Sequence, residues 1–194
     1  MAAVVTALRE RPRDRVDVEL DGAPWRTLPA AVVVRAGLTV GRALDRRTAR
    51  IVARELRSTR AAACATRALR AHDRSRGELE ARLERAGVPT TARAEALEAL
   101  ERAGLVDDSR VARIRAETLA WRGYGDAAIR ADLERRHLPA EAVEEALAAL
   151  EPEAERVRNL LQREHATPAV LRRLAARGFD RELLGELAAF AREA

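Results

Sequence analysis

The 194-residue sequence predicts a mainly α chain, with tandem three-helix repeats forming an elongated arc behind a small β-hairpin-plus-helix N-terminal module. Three observations carry that expectation. First, one helical phrase is written three times, at residues 75–89 (SRGELEARLERAGVP), 125–139 (GDAAIRADLERRHLP) and 166–180 (ATPAVLRRLAARGFD). Leu79, Ile129 and Val170 align, as do Leu83, Leu133 and Leu174; then come Gly87, His137 and Gly178, and finally Val88, Leu138 and Phe179. The copies are offset by about 50 and about 41 residues, in the range of helical repeat proteins. Second, apolar residues reach 47%, much of it alanine, while aromatics are only 3%, which favours closely packed helices over a sheet sandwich. Third, charged residues of both signs make up 35%, as amphipathic helices with one solvated face require.

The elements follow in order. Residues 4–8 (VVTAL) are a short β-prone run. Val16, Val18 and Leu20 alternate with Asp17 and Glu19 up to Asp21-Gly22, a hairpin dipeptide, and residues 23–28 return as the second arm with Trp25 on an apolar face. Pro29 suits the first turn of a helix over residues 30–35 that Gly37 can end. A further helix begins near Asp45 with Ile51, Val52 and Leu56 on one face, and residues 1–57 form the N-terminal module. Three repeats follow, at 58–105, 106–151 and 152–194. In the first, a helix over residues 61–72 leads to Ser75 and Glu78, a capping box, and the next helix stops at Gly87. Pro89 opens a third helix with Leu97 and Leu100 inward, up to Gly104. In the second repeat Asp107 or Asp108 caps a helix to Trp121, Asp126 caps the next, and Pro139 starts a third with Val143, Leu147 and Leu150 inward. In the third, Thr167 is an N-cap with Pro168 at the first helical position, Gly178 is the stop, and Asp180 caps a last helix carrying Leu183, Leu184, Leu187 and Phe190.

Composition narrows the function. No apolar run approaches the roughly 18 residues of a membrane span, and the first eight residues lack a signal-peptide core, so no membrane partner is expected. Cys64 is the single cysteine and can form no intramolecular disulfide; it reads as a small buried side chain in a cytoplasmic protein. The isoelectric point near 10.8 overstates the basic character, because the net charge is only +5 and every basic residue is an arginine. Residues 1–57 carry twelve arginines against seven acids, whereas residues 106–151 carry seven against ten, a poor match to a chain that coats DNA uniformly.

No catalytic constellation, metal site or cofactor motif emerges. His72, His137 and His165 have no ligand-like spacing, and His137, in a slot otherwise held by glycine, reads as a helix C-terminus. Gly123-Tyr124-Gly125 joins two helices and lacks the Lys-Ser/Thr of a phosphate loop. Binding surfaces are the better expectation. Trp121-Arg122-Gly123-Tyr124-Gly125 concentrates residue types that anchor interfaces or stack on bases. Trp121 either lies exposed for that purpose or fills the core between helices, and Arg122 is expected outside. Arginine stripes at Arg70, Arg74, Arg76 and Arg82, at Arg115 and Arg130, and at Arg172, Arg173 and Arg177 complete the candidate partner-binding set, with Trp121, Arg122 and Tyr124.

In succession, these residues resemble the RecX regulatory proteins. The resemblance rests on residues 104–112 (GLVDDSRVA), Arg122-Gly123-Tyr124-Gly125, residues 129–133 (IRADL), the first-repeat run Arg74-Ser75-Arg76-Gly77-Glu78-Leu79 with Leu83, and the N-terminal preface up to Gly37-Leu38, Val40 and Gly41. It implies a modulator that lies in the groove of the RecA–DNA filament and inhibits strand exchange and ATP hydrolysis, and the chain is expected to be a monomer. Single-stranded DNA would be touched weakly or through the filament. The family pattern usually has an aromatic where Val111 stands, a basic residue where Thr118 stands, and a basic residue soon after Gly125, where this chain has Asp126-Ala127-Ala128. The middle repeat has thus lost positive charge, which suggests protein contacts there and arginine contacts at the ends. The competing readings are a helix-turn-helix-like DNA-binding module and a protein-only helical adaptor. Gly77-Glu78-Leu79, Asp126-Ala127-Ala128 and Pro168-Ala169-Val170 are poor base readers at the start of a recognition helix.

Overall fold

A computed structural model describes residues 2–193 of the chain, with side chains through residue 189. The described residues form two compact units, one of residues up to His72 with Glu80–Leu105, the other of Asp73–Leu79 with the residues from Val106 onward. The fold is mainly α, with a small strand module at the N-terminus.

In the first unit, β1 (Ala3–Arg11), β2 (Arg15–Leu20), β3 (Ala23–Pro29) and β4 (Ala43–Leu44) make one antiparallel sheet in the order β3-β2-β1-β4. The expected hairpin is therefore a larger sheet. The β-prone run continues to Arg11, and Arg13 and Asp14, both in the left-handed region, turn it into β2. Asp21 and Gly22, with φ of +50° and +81°, make the expected tight turn into β3, whose twist suits the flanking strands. Val16 pairs with Leu28, and Val5, Val16, Val18 and Leu28 face inward against Val32 and Val33 of α1 (Ala30–Arg35) and Val52 of α2 (Arg46–Leu69). Asp17, on the opposite face, accepts hydrogen bonds from Arg11 and Thr27, which hold its carboxyl below the usual carboxylate range.

Asp45 caps α2 by accepting a 2.7 Å bond from the Thr48 amide. α2 then runs unbroken for 24 residues, so the expected separation of a helix carrying Leu56 from another beginning at Ala61 is absent. Nothing between Arg46 and Leu69 could break it, since the stretch holds neither glycine nor proline. Ala61, Ala65 and Ala68 form its buried stripe, and α2 packs on α4 (Thr90–Arg102). Cys64 is free and half-buried. α3 (Arg76–Arg85) gives its first residues to the second unit and the rest to the first.

The second unit holds two three-helix groups. α5 (Asp108–Trp121), α6 (Asp126–Arg135) and α7 (Ala140–Ala148) surround Val111, Ala116, Leu119, Ile129, Leu133 and Val143. α8 (Glu153–Arg163), α9 (Pro168–Ala176) and α10 (Arg181–Glu193) surround Val157, Leu161, Leu174, Phe179 and Leu184. The side chain of Phe190, expected on the inner face of α10, lies outside the described residues. The three copies of the phrase become α3, α6 and α9. Each ends the same way: Gly87, His137 and Gly178 have φ of +71°, +56° and +86°, and the next amide reaches back five residues to Leu83, Leu133 or Leu174. The start caps at Ser75, Asp107, Thr167 and Asp180 form as expected. Asp126 differs, because Gly125 holds the cap position and Asp126 is the first helical residue.

Candidate partner interface

Two joints of one design set the corner at which the candidate residues gather. In the first, Ser75 Oγ donates to the Arg136 carbonyl, and the Arg76 amide donates to Asp108 Oδ1 at 2.7 Å. In the second, the Gly125 amide donates to the Arg177 carbonyl at 2.9 Å, and the Asp126 amide donates to Glu153 Oε1 at 2.7 Å. The partners are equivalent: Ser75 aligns with Gly125, Arg76 with Asp126, and Arg136 with Arg177, while Asp108 and Glu153 each open the first helix of the following group. Free amides at a helix start thus find carboxylates, which satisfy groups that a helix terminus leaves orphaned and also suit its positive end. The approach is close. A Cβ added to Gly125 would fall on the Gly178 backbone, and one added to Gly77 would fall on His137.

Arg156 locks the second joint. Its side chain is only 9% exposed; it donates to the Tyr124 carbonyl at 2.9 Å and the Glu151 carbonyl at 3.0 Å, and pairs with Asp126. The guanidinium also lies 5.8 Å from the centroid of the Phe179 ring. With Gly123 at φ +78° turning the chain and Gly125 pressed on Gly178, the segment between α5 and α6 is fixed on both sides. Held there, Trp121 is 88% exposed and Tyr124 38%, with the Arg177 guanidinium 5.9 Å from the Tyr124 ring centroid. Of the two placements expected for Trp121, the exposed one is found, and Arg122 is exposed beside it.

The remaining arginines divide into free and committed. Arg70, Arg82, Arg122 and Arg172 are exposed and make no ion pair among the described residues. Arg115 is committed, its Nε and Nη2 holding both oxygens of Asp132 at 2.8 and 3.1 Å. Arg135 and Arg136 also reach Asp132, so its carboxyl is held below the usual carboxylate range, chiefly by the Arg115 hydrogen bonds. Arg130 grips both oxygens of Glu144, lowering that carboxyl too, and Arg173 pairs with Glu164. Arg74 and Arg76 are half-buried at the first joint. The structure therefore gathers Trp121, Arg122, Tyr124 and Arg177 at one corner and leaves Arg70 and Arg82 in other places on the chain. Sequence reasoning missed Arg156 and the Asp132 hub. One arginine among thirty-six carries no signal of burial, although Arg156 closes the first turn of α8 directly before the buried Val157. Among the described residues no cluster of His, Cys, Asp and Glu could hold a metal ion, and no helix is long and apolar enough to cross a membrane.

Comparison with known proteins gives a consistent picture. A family model described as RecX, second three-helix domain, matches residues 107–147. A curated protein called regulatory protein RecX from Mycolicibacterium vanbaalenii is 38% identical over 104 residues, covering 53% of this chain and 56% of that one. A protein of the same name from Mycolicibacterium smegmatis is 35% identical over 135 residues, covering 60% of this chain and 71% of that one. The chain thus spans little more than half the length of the first of these relatives. Among solved structures, one described as the crystal structure of regulatory protein RecX superposes with a TM-score of 0.79 at 20% identity, covering 96% of this chain and 98% of the other. RecX from Lactobacillus salivarius gives a TM-score of 0.61 at 16% identity, covering 71% of this chain and 98% of the other. These two likenesses bear on the fold, which is the one the repeat pattern predicts.

Proposed function

Because the chain belongs to the RecX family of regulatory proteins, we propose that it modulates the RecA recombinase, as an inhibitor bound in the groove of the RecA–DNA filament. It acts as a non-enzymatic monomer in the cytoplasm, meeting protein through its middle repeat and nucleic acid weakly or through the filament. The observation that carries this reading is the rigid corner presenting Trp121, Arg122 and Tyr124, since an indole left 88% exposed contributes little to folding and much to an interface. The paired state of Arg115 and Arg130 supports a protein contact there, because their charge is already met by Asp132 and Glu144. The helix-turn-helix alternative is disfavoured by the joints. The first turns of α3 and α6, where base readers would stand, are hydrogen-bonded to the following copy.

The test is RecA-dependent ATP hydrolysis on single-stranded DNA, titrated with the full chain. Hydrolysis should fall as the chain approaches stoichiometry with RecA, and an unchanged rate at stoichiometric excess would overturn the reading. R122E/R172E should weaken filament binding by about tenfold with an unchanged circular dichroism spectrum, as loss of unpaired rim charges does.

A further inference from the structure

Beside the corner lies a groove of about 410 Å³ within the second unit. Trp121 forms one wall, and Leu150, Leu160 and Phe179 give it an apolar lining. Arg163 stands in the same groove; the Arg177 guanidinium lies beside Gly123, which also lines it, and Arg122 follows Trp121 in the chain. None of these three arginines makes an ion pair among the described residues, although Arg177 sits over Tyr124. The acids at the groove are already engaged: Glu117 pairs with Arg113, and Glu151 accepts from Asn159. What is missing is therefore an apolar group to cover Trp121 and carboxylates to meet three cations. We propose that this groove docks an acidic segment of a partner protein, which inserts one large apolar side chain against Trp121 while its carboxylates meet Arg122, Arg163 and Arg177.

A nucleic acid fits less well. Residues 106–194 carry fifteen arginines against seventeen acids, so they offer a long polyanion no long-range attraction. A peptide needs only one anchor and a few local charges, the usual make-up of a hot spot with a polar rim. The inference rests on reading this chain as a regulator that grips protein, and it adds the chemistry of what is gripped; it does not require that the partner be RecA.

The experiment is selection of a displayed random 12-residue peptide library on the full chain, with counter-selection on W121A. The survivors should carry Leu, Phe or Trp beside Asp or Glu. A synthetic survivor should shift the emission of Trp121 to the blue in the W25F chain, where it is the sole tryptophan. Its affinity should fall about tenfold in R163E. Basic or charge-free survivors, no survivor that depends on Trp121, or the same emission shift from oligo(dT) at lower concentration would each overturn the proposal. The ATPase titration fails or succeeds separately. Peptide binding without ATPase inhibition removes RecA as the partner, and inhibition retained in full by W121A removes the groove from the RecA contact.

Discussion

Arg156 and Asp132 show what single residues do here that their neighbours in sequence do not announce. A guanidinium that is nine-tenths buried survives only because two carbonyls and Asp126 take its donors. R156A should destabilise the chain by about 2–4 kcal/mol in urea unfolding, since it strips the Tyr124 carbonyl and Asp126 of their partner. Asp132 is a milder case, partly open to solvent, and D132N should cost about 1 kcal/mol at neutral pH. Its dependence on pH has a definite sign. The carboxyl is held below its ordinary value in the folded chain, so its contribution is complete above the unfolded value near 4 and is lost as pH falls through the lowered one. The stability gap between wild type and D132N should therefore close in acid and stay constant from about pH 5 upward.

At the scale of elements, what the sequence discloses is what is local. Ser75 with Glu78, Thr167 before Pro168, and Asp180 are signals spanning three or four residues, and each forms the cap it signals. The exits at Gly87, His137 and Gly178 are equally readable, because they depend on backbone conformation at one position. The joints were illegible for the opposite reason. Ser75 meets Arg136 across 61 residues and Asp126 meets Glu153 across 27, and no local pattern pairs them. The corner itself was half legible: its residue types mark a surface, but the choice between core and exposure for Trp121 is set by tertiary packing that no local pattern carries. Glycine has distinct duties in these places, and substitution separates them. G125A and G77A should each lose about 1–3 kcal/mol, because the new methyl meets backbone or Cβ that cannot step aside. G185A, inside α10 with open space around it, should instead gain about 0.5–1 kcal/mol. Thermal unfolding of the three variants checks both signs.

For the molecule as a whole, charge is distributed by use more than by amount. The +5 net charge and high isoelectric point suggest a nucleic-acid protein, but salt bridges consume much of the arginine, and residues 106–194 are slightly acidic. Bare single-stranded DNA should accordingly bind more weakly than the RecA filament, with a shallow slope of log affinity against log salt, and equal affinities with a steep slope would contradict that distribution. The twice-used joint has a further consequence. Each instance uses the amide of the second residue of the phrase, Arg76 or Asp126, and in the third copy that donor is already engaged. The Thr167 amide is turned back to the His165 carbonyl at 2.7 Å, and Pro168, in the slot of Gly77 and Ala127, has no amide hydrogen and a ring where there was room for hydrogen or methyl. The sequence therefore contains its own punctuation. A copy placed after the third would not find on α9 the free amide that α3 and α6 offer. Repeating the joint in the same form is easy before that proline and obstructed at it.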